Sequence, residues 1–279
     1  MRGLLFVLLV ASLNVAFAKE NILIMGYIER EKEPFIAESP SNQGFFNDLF
    51  SRAAQKIGFK LQIVRFPKKR LYEEIHKGKV DFTPGSFSLE RADSLNWFPY
   101  GLVSKEVCLS RIDLATITDL NQTPPLRVIT ELGSSKASIH SRYPALTAEV
   151  LGGGVDANKA IKALKGRRGD LFIIEQEPLQ FYLHKNRIAS LDVLGLKLHP
   201  NCLPQANPLL VGFSRSSEHY AEIPNPNYNS KLAPSASNLP MLVSPDSLAG
   251  QFAKALMELK TSNETQRLLQ RYMDGSQKL

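Results

Sequence analysis

The chain has 279 residues, of which 43% are hydrophobic and 22% charged, with a net charge of +7. That length suits one large domain or two lobes, and that apolar share excludes a disordered or low-complexity protein. The basic balance and the run Lys68-Lys69-Arg70 would raise nucleic acid as a partner, but no groove-reading motif accompanies them and the N-terminus argues for export.

Residues 1–18 read as a signal peptide: Arg2, an unbroken apolar run from Leu4 to Val10, and Ala16-Phe17-Ala18 as the cleavage site. The expected mature chain begins at Lys19 and is periplasmic. Asn21 to Tyr27 is a short apolar strand. After Gly44, Phe46, Leu49, Phe50, Ala53 and Ile57 fall on one helical face, and Gly58 stops the helix. Lys60 to Phe66 alternates as a strand, Lys69 to Lys77 is helical, and Val80 to Thr83 is a strand again. The order β-α-β-α-β implies parallel pairing with right-handed crossovers.

The loop after that third strand carries Ser86, Ser88 and Arg91 at a strand's carboxyl end, where open α/β sheets hold ligands. Arginine's planar fork suits a carboxylate, and serine hydroxyls can donate to the same oxygens. On these residues alone, a surface loop with an incidental arginine is an equal reading. The pattern restarts with a strand at Leu126 to Thr130. A helix is expected to open at Gly133-Ser134-Ser135, followed by a helix over Asp156 to Leu164 and a buried strand ending at Glu175. Leu209 to Phe213 is a strand, Ser214 to Ser247 reads as a long surface loop, and Ser247 to Tyr272 carries two amphipathic helices. Cys108 and Cys202 can pair in an oxidising compartment or stay as buried thiols, and spacing decides neither.

Taken in order, the residues resemble a known family. The landmarks are Glu33-Pro34-Phe35, Gly44-x-x-x-Asp48-Leu49, Ile57-Gly58, Gly78-Lys79-Val80-Asp81, Glu90-Arg91 and Phe98-Pro99-Tyr100. Leu132-Gly133-Ser134-Ser135, Gly166-x-x-x-Asp170 and the tail from Leu248 to Tyr272 complete them. The chain is similar to extracellular solute-binding proteins of the polar amino-acid type, the periplasmic receptors of ABC importers. The resemblance implies an α/β type II binding fold, with two mixed sheets flanked by helices and joined by a two-strand hinge near Val103–Leu109 and Leu209–Phe213. One lobe would comprise 19–104 and 213–279, the other 105–212. It implies a monomer that closes on a small carboxylate-bearing solute, an amino acid or related anion, with an ABC permease as partner, no nucleic acid and no cofactor.

Matched position by position, Arg91 corresponds to the clamp on the ligand carboxylate, with Ser86 and Ser88 beside it. Ser134 and Ser135 correspond to the hydroxyls of the second lobe, and Glu175 to the carboxylate that pairs with the ligand's amino group. Where the family stacks aromatic rings on the ligand, this chain has Lys32 and Lys68, with Tyr27, Phe66 and Arg70 nearby. Amines in place of rings would favour an anionic ligand. The five histidines show no H-x-x-x-H spacing, and no C-x-x-C, G-x-S-x-G or phosphate loop is present, so an enzyme is not expected. Two alternatives remain: a ligand-sensing partner of a membrane sensor kinase, and a dehydratase of a small carboxylic acid using Glu175 as acid or base.

Overall fold

The structure is a computed structural model that describes residues 21–132, 134–152, 154–203 and 206–275. The expected signal peptide lies outside the described residues. Strand β1 (Ile22–Ile28) pairs in parallel with β2 (Lys60–Phe66) along its full length. Helix α1 (Phe45–Lys56) connects them and buries Phe45, Phe46, Leu49, Phe50, Ala53 and Ala54, as its apolar spacing requires. Helix α2 (Lys68–His76) leads to β3 (Phe82–Gly85), which returns beside β1.

The long strand β4 (Leu95–Arg111) runs through both halves of the molecule. Its first part, Leu95 to Pro99, pairs antiparallel with Leu210–Ser214 of β9 (Ala206–Ser214). The register then shifts between Pro99 and Val103, and Val103–Lys105 pairs with Ala206–Pro208. Gly101 sits in this irregularity at φ 101°, a region open to glycine, and a Cβ there would meet the Lys260 side chain at 2.9 Å. Beyond it, β4 pairs with β7 (Leu171–Glu175) and β8 (Leu196–His199). Strands β5 (Leu126–Glu131) and β6 (Leu146–Leu151) complete the second half, with α3 (Ala157–Lys165) and α4 (Gln176–Lys185) packed on it.

The sheet is therefore continuous, in the order β2-β1-β3-β9-β4-β7-β5-β6, but its cores are separate. One group gathers Phe50, Phe82, Tyr100, Phe213 and Phe252, with Leu71 and Trp97 in an adjoining cluster. The other gathers Leu109, Ile129, Phe172 and Leu196 on one face, and Cys108, Val128 and Cys202 on the opposite one. Among the described residues, none of the second group comes from before Val107 or after Leu203. Leu210 and Val211 pack with the first group, so the expected boundary at 212–213 falls inside a segment paired with β3. Helices α5 (Leu248–Thr261) and α6 (Glu264–Met273) cap the first lobe through Phe252, Leu256, Leu268 and Tyr272. Each such large apolar side chain, fully buried, contributes about 1.5–3 kcal/mol.

Two local expectations change. The segment opening at Ser134 forms a 3-10 stretch, Ser135–Ser141, with non-helical backbone at Ser138, so it offers no α-helical N-terminus. The Ser134 hydroxyl instead accepts from the Lys136 N–H at 3.2 Å. The segment after Ser214 is more ordered than a plain loop, because β10 (Glu222–Pro224) and β11 (Met241–Val243) pair antiparallel. Asn225 donates to the Leu239 carbonyl at 2.8 Å, and Asn238 both donates to and accepts from the Asn229 backbone. Cys108 and Cys202 are joined as a disulfide with Cα atoms 6.1 Å apart.

Candidate functional site

The carboxyl ends of β1, β3, β5 and β7 converge between the lobes, where an α/β sheet leaves a crevice for ligand. Arg30 and Lys32 follow β1, and Ser86, Ser88 and Arg91 follow β3. Glu131 ends β5 and Glu175 ends β7. A cavity of about 190 Å³ lies among Tyr27, Arg30, Lys68, Tyr72, Ser86, Ser88, Arg91, Glu131, Ser134 and Glu175. A larger one, about 410 Å³, adjoins it across Arg30, Glu131, Ser134 and Glu175 and continues toward Phe172, Phe181, Tyr182 and Lys185.

Arg91 ends a short 3-10 turn, Leu89–Arg91, that aims its guanidinium back over α2. Its Cζ lies 3.8 Å from the centre of the Tyr72 ring. A guanidinium held on an aromatic face keeps its N–H edges available for oxygens. Among the described residues no carboxylate, Asp93 included, forms an ion pair with it. The other cleft charges are matched across the lobes. Glu131 accepts from Arg30 at 3.0 Å, lies 3.7 Å from the Lys68 amine, and accepts the Val155 N–H at 3.3 Å. Glu175 takes the Lys32 ammonium at 2.6 Å, and Glu33 takes that of Lys185.

These partners set the protonation states. Burial alone would raise the Glu175 carboxyl, but Lys32, helped by Lys136, overrides it and holds the group at about 2. Glu175 is thus ionised at neutral pH, without the raised pKa that an acid–base role in a dehydratase would need. Lys68 is pushed below the usual lysine range by burial, with Arg91 and Arg30 acting in the same direction against the pull of Glu131.

Of the residues expected at the site, Tyr27, Lys68, Ser86, Ser88, Arg91, Ser134 and Glu175 meet at the smaller cavity, and Lys32 lines the larger one, paired with Glu175. The Ser135 side chain lies outside the described part of the structure, as does Gly133. Phe66 and Arg70 line neither cavity. Arg70 is exposed, with its guanidinium 5.7 Å from the Phe66 ring centre. Two residues after Lys68 on a helix, it points about 200° away from it. Lys32 and Lys68 each have a carboxylate across the cleft. Arg30, Tyr72 and Glu131 were missed. The available signal was that Glu131, like Glu175, is a carboxylate at the last position of a buried apolar strand.

Among the described residues no three His, Cys, Asp or Glu side chains cluster to hold a metal ion, and no helix is long and apolar enough to cross a membrane. A search of curated protein sequences gives no significant match. The fold is similar to that of an amino acid ABC transporter substrate-binding protein from Streptococcus pneumoniae bound to L-arginine. That structure is 17% identical, with a TM-score of 0.64 over 93% of this chain and 97% of the other. The GluR0 ligand-binding core in complex with L-glutamate aligns at 14% identity and a TM-score of 0.66, covering 92% of this chain and 99% of that one. An ancestral amino-acid-binding protein described as a precursor of cyclohexadienyl dehydratase aligns at 15% identity and 0.62, over 91% and 95%. The profile of one family matches residues 24–275, nearly the whole described chain, and the protein belongs to the bacterial extracellular solute-binding proteins, family 3.

Proposed function

We propose that the protein receives a small carboxylate-bearing solute, an amino acid or related anionic metabolite, in the periplasm and passes it to an ABC importer by closure of the two lobes. The observation that carries this reading is Arg91. It faces the 190 Å³ cavity from the Tyr72 ring, beside the hydroxyls of Ser86 and Ser88, without a carboxylate partner among the described residues. A guanidinium presented in this way is complementary to one planar carboxylate. The amino acids bound in similar folds support the same class of ligand.

The lobes would follow the separate cores, with β4 and β9 flexing near Gly101 and Leu209. The first lobe offers Arg91 and its serines to incoming solute, and closure then brings up Ser134 and Glu175. Contacts made only in the closed state shift the equilibrium toward it. Native mass spectrometry of protein purified without denaturation would identify a retained ligand. Titration calorimetry with that ligand is expected to show Arg91→Ala weakening binding about a hundredfold, or about 3 kcal/mol, with the melting temperature unchanged. Unchanged affinity would overturn the assignment.

A further inference from the structure

We infer that the cleft selects carboxylates that lack an α-ammonium group, and that Lys32 is the residue that sets this preference. The inference rests on the reading of Arg91 given above and narrows its ligand class. An ammonium entering beside Arg91 needs an acceptor, and a charged one to hold it tightly. Two carboxylates face the smaller cavity, Glu131 and Glu175. Glu131 is bound by Arg30 and approached by Lys68, while its second oxygen accepts the Val155 N–H. Glu175 is bound by Lys32 at 2.6 Å. Both carboxylates therefore already hold a cation of the protein's own, and an entering ammonium would have to share Glu175 with Lys32.

The charge around the cavity points the same way. Arg30, Lys68 and Arg91 face it against two carboxylates, one of which is already paired with Lys32. Burial, with Arg91 and Arg30 acting in the same direction, lowers the Lys68 amine against the pull of Glu131, and an anion would relieve the repulsion among these cations where a zwitterion would only half do so. The other polar residues lining the space, Tyr27, Tyr72, Thr83, Ser86, Ser88 and Ser134, carry hydroxyls able to donate to ligand oxygens. The space beside Arg91 is about 190 Å³, enough for the ligand's carboxylate end, and the adjoining cavity of about 410 Å³ leaves room for the rest.

The test compares ligands that differ only in the amino group: glutarate with L-glutamate, and succinate with L-aspartate, by titration calorimetry on the ligand-stripped protein. The wild type is expected to bind the amine-free member of at least one pair tenfold or more tighter than its amino acid. Lys32→Met, checked for an unchanged circular dichroism spectrum, frees Glu175 and should reduce or invert that ratio. A preference below tenfold for the amine-free member in both pairs overturns the inference, as does failure of all four to bind. In either case Arg91→Ala, tested on the retained ligand, still decides the broader reading independently. If Lys32→Met does not fold, the wild-type ratios suffice.

Discussion

His199 is fully buried, and its surroundings fix its proton. The Ile117 N–H donates to Nδ1 at 3.0 Å, so Nε2 carries the hydrogen and donates to the Ser110 hydroxyl at 2.8 Å, which donates onward to the Arg111 carbonyl. A second ring proton would face the Ile117 N–H. Burial, and then Lys197, accordingly hold the imidazole below its ordinary value. The unfolded chain then takes up the proton first, so this residue's contribution to stability is complete above about pH 6.5 and is lost as pH falls toward the lower folded value. Urea unfolding between pH 5 and 7.5 should show that decline, and His199→Gln should flatten it; an equal slope in the variant would refute it. Nothing in the sequence marked His199, because an isolated histidine in an alternating strand carries no motif. Arg91 and Glu175 could be placed at the cleft from the sequence because Arg91 lies in the loop after one strand and Glu175 closes another. The pairing of Glu175 with Lys32 was not legible, since it joins residues 143 positions apart across two lobes.

At the scale of elements, the periodic segments were the readable ones. Helices α1, α3, α5 and α6 bury the faces their spacing indicates. Strand β4 was not read at its full 17 residues, because Pro99 and Gly101 are strand breakers that tertiary pairing with β9 overrides. The β10–β11 pairing was hidden by prolines and asparagines whose side chains organise the turn themselves. The disulfide, left open by the sequence, spans 94 positions between β4 and the turn after β8. Cross-links over loops of that length contribute about 2–5 kcal/mol. Cys108→Ser with Cys202→Ser is expected to lower the melting temperature by about 5–15 °C. Calorimetry showing a change within error would mean that the reduced chain retains the same restraint by packing alone.

For the whole molecule, the two lobes touch through charge as well as through β4 and β9. Arg30 and Lys68 share Glu131, Lys32 holds Glu175, and Lys185 holds Glu33, each pair reaching from one lobe to the other. These side chains are partly exposed, so each pair alone is worth little, but acting on one hinge they bias it together. Glu131→Gln removes the acceptor that two cations share and should shift ligand-free protein toward open forms. Small-angle scattering should record this as a larger radius of gyration than wild type at 0.1 M salt, a difference that shrinks at 1 M, where the Debye length is about 3 Å. Identical curves at low salt would show that packing, not charge, holds the lobes together. The two-lobed plan was legible from its repeated α/β pattern; the ionic seam was not, since its members are scattered over five segments.

The disulfide also has a topological consequence. Cys108 lies just inside the point where β4 enters the second lobe, and Cys202 just before β9 leaves it. The inserted lobe is thus a covalent ring sealed at its neck. If the ring's interior were to melt, the slack could not reach the two crossing strands, and the first lobe, built from both ends of the chain, would keep its shape and its half of the carboxylate clamp.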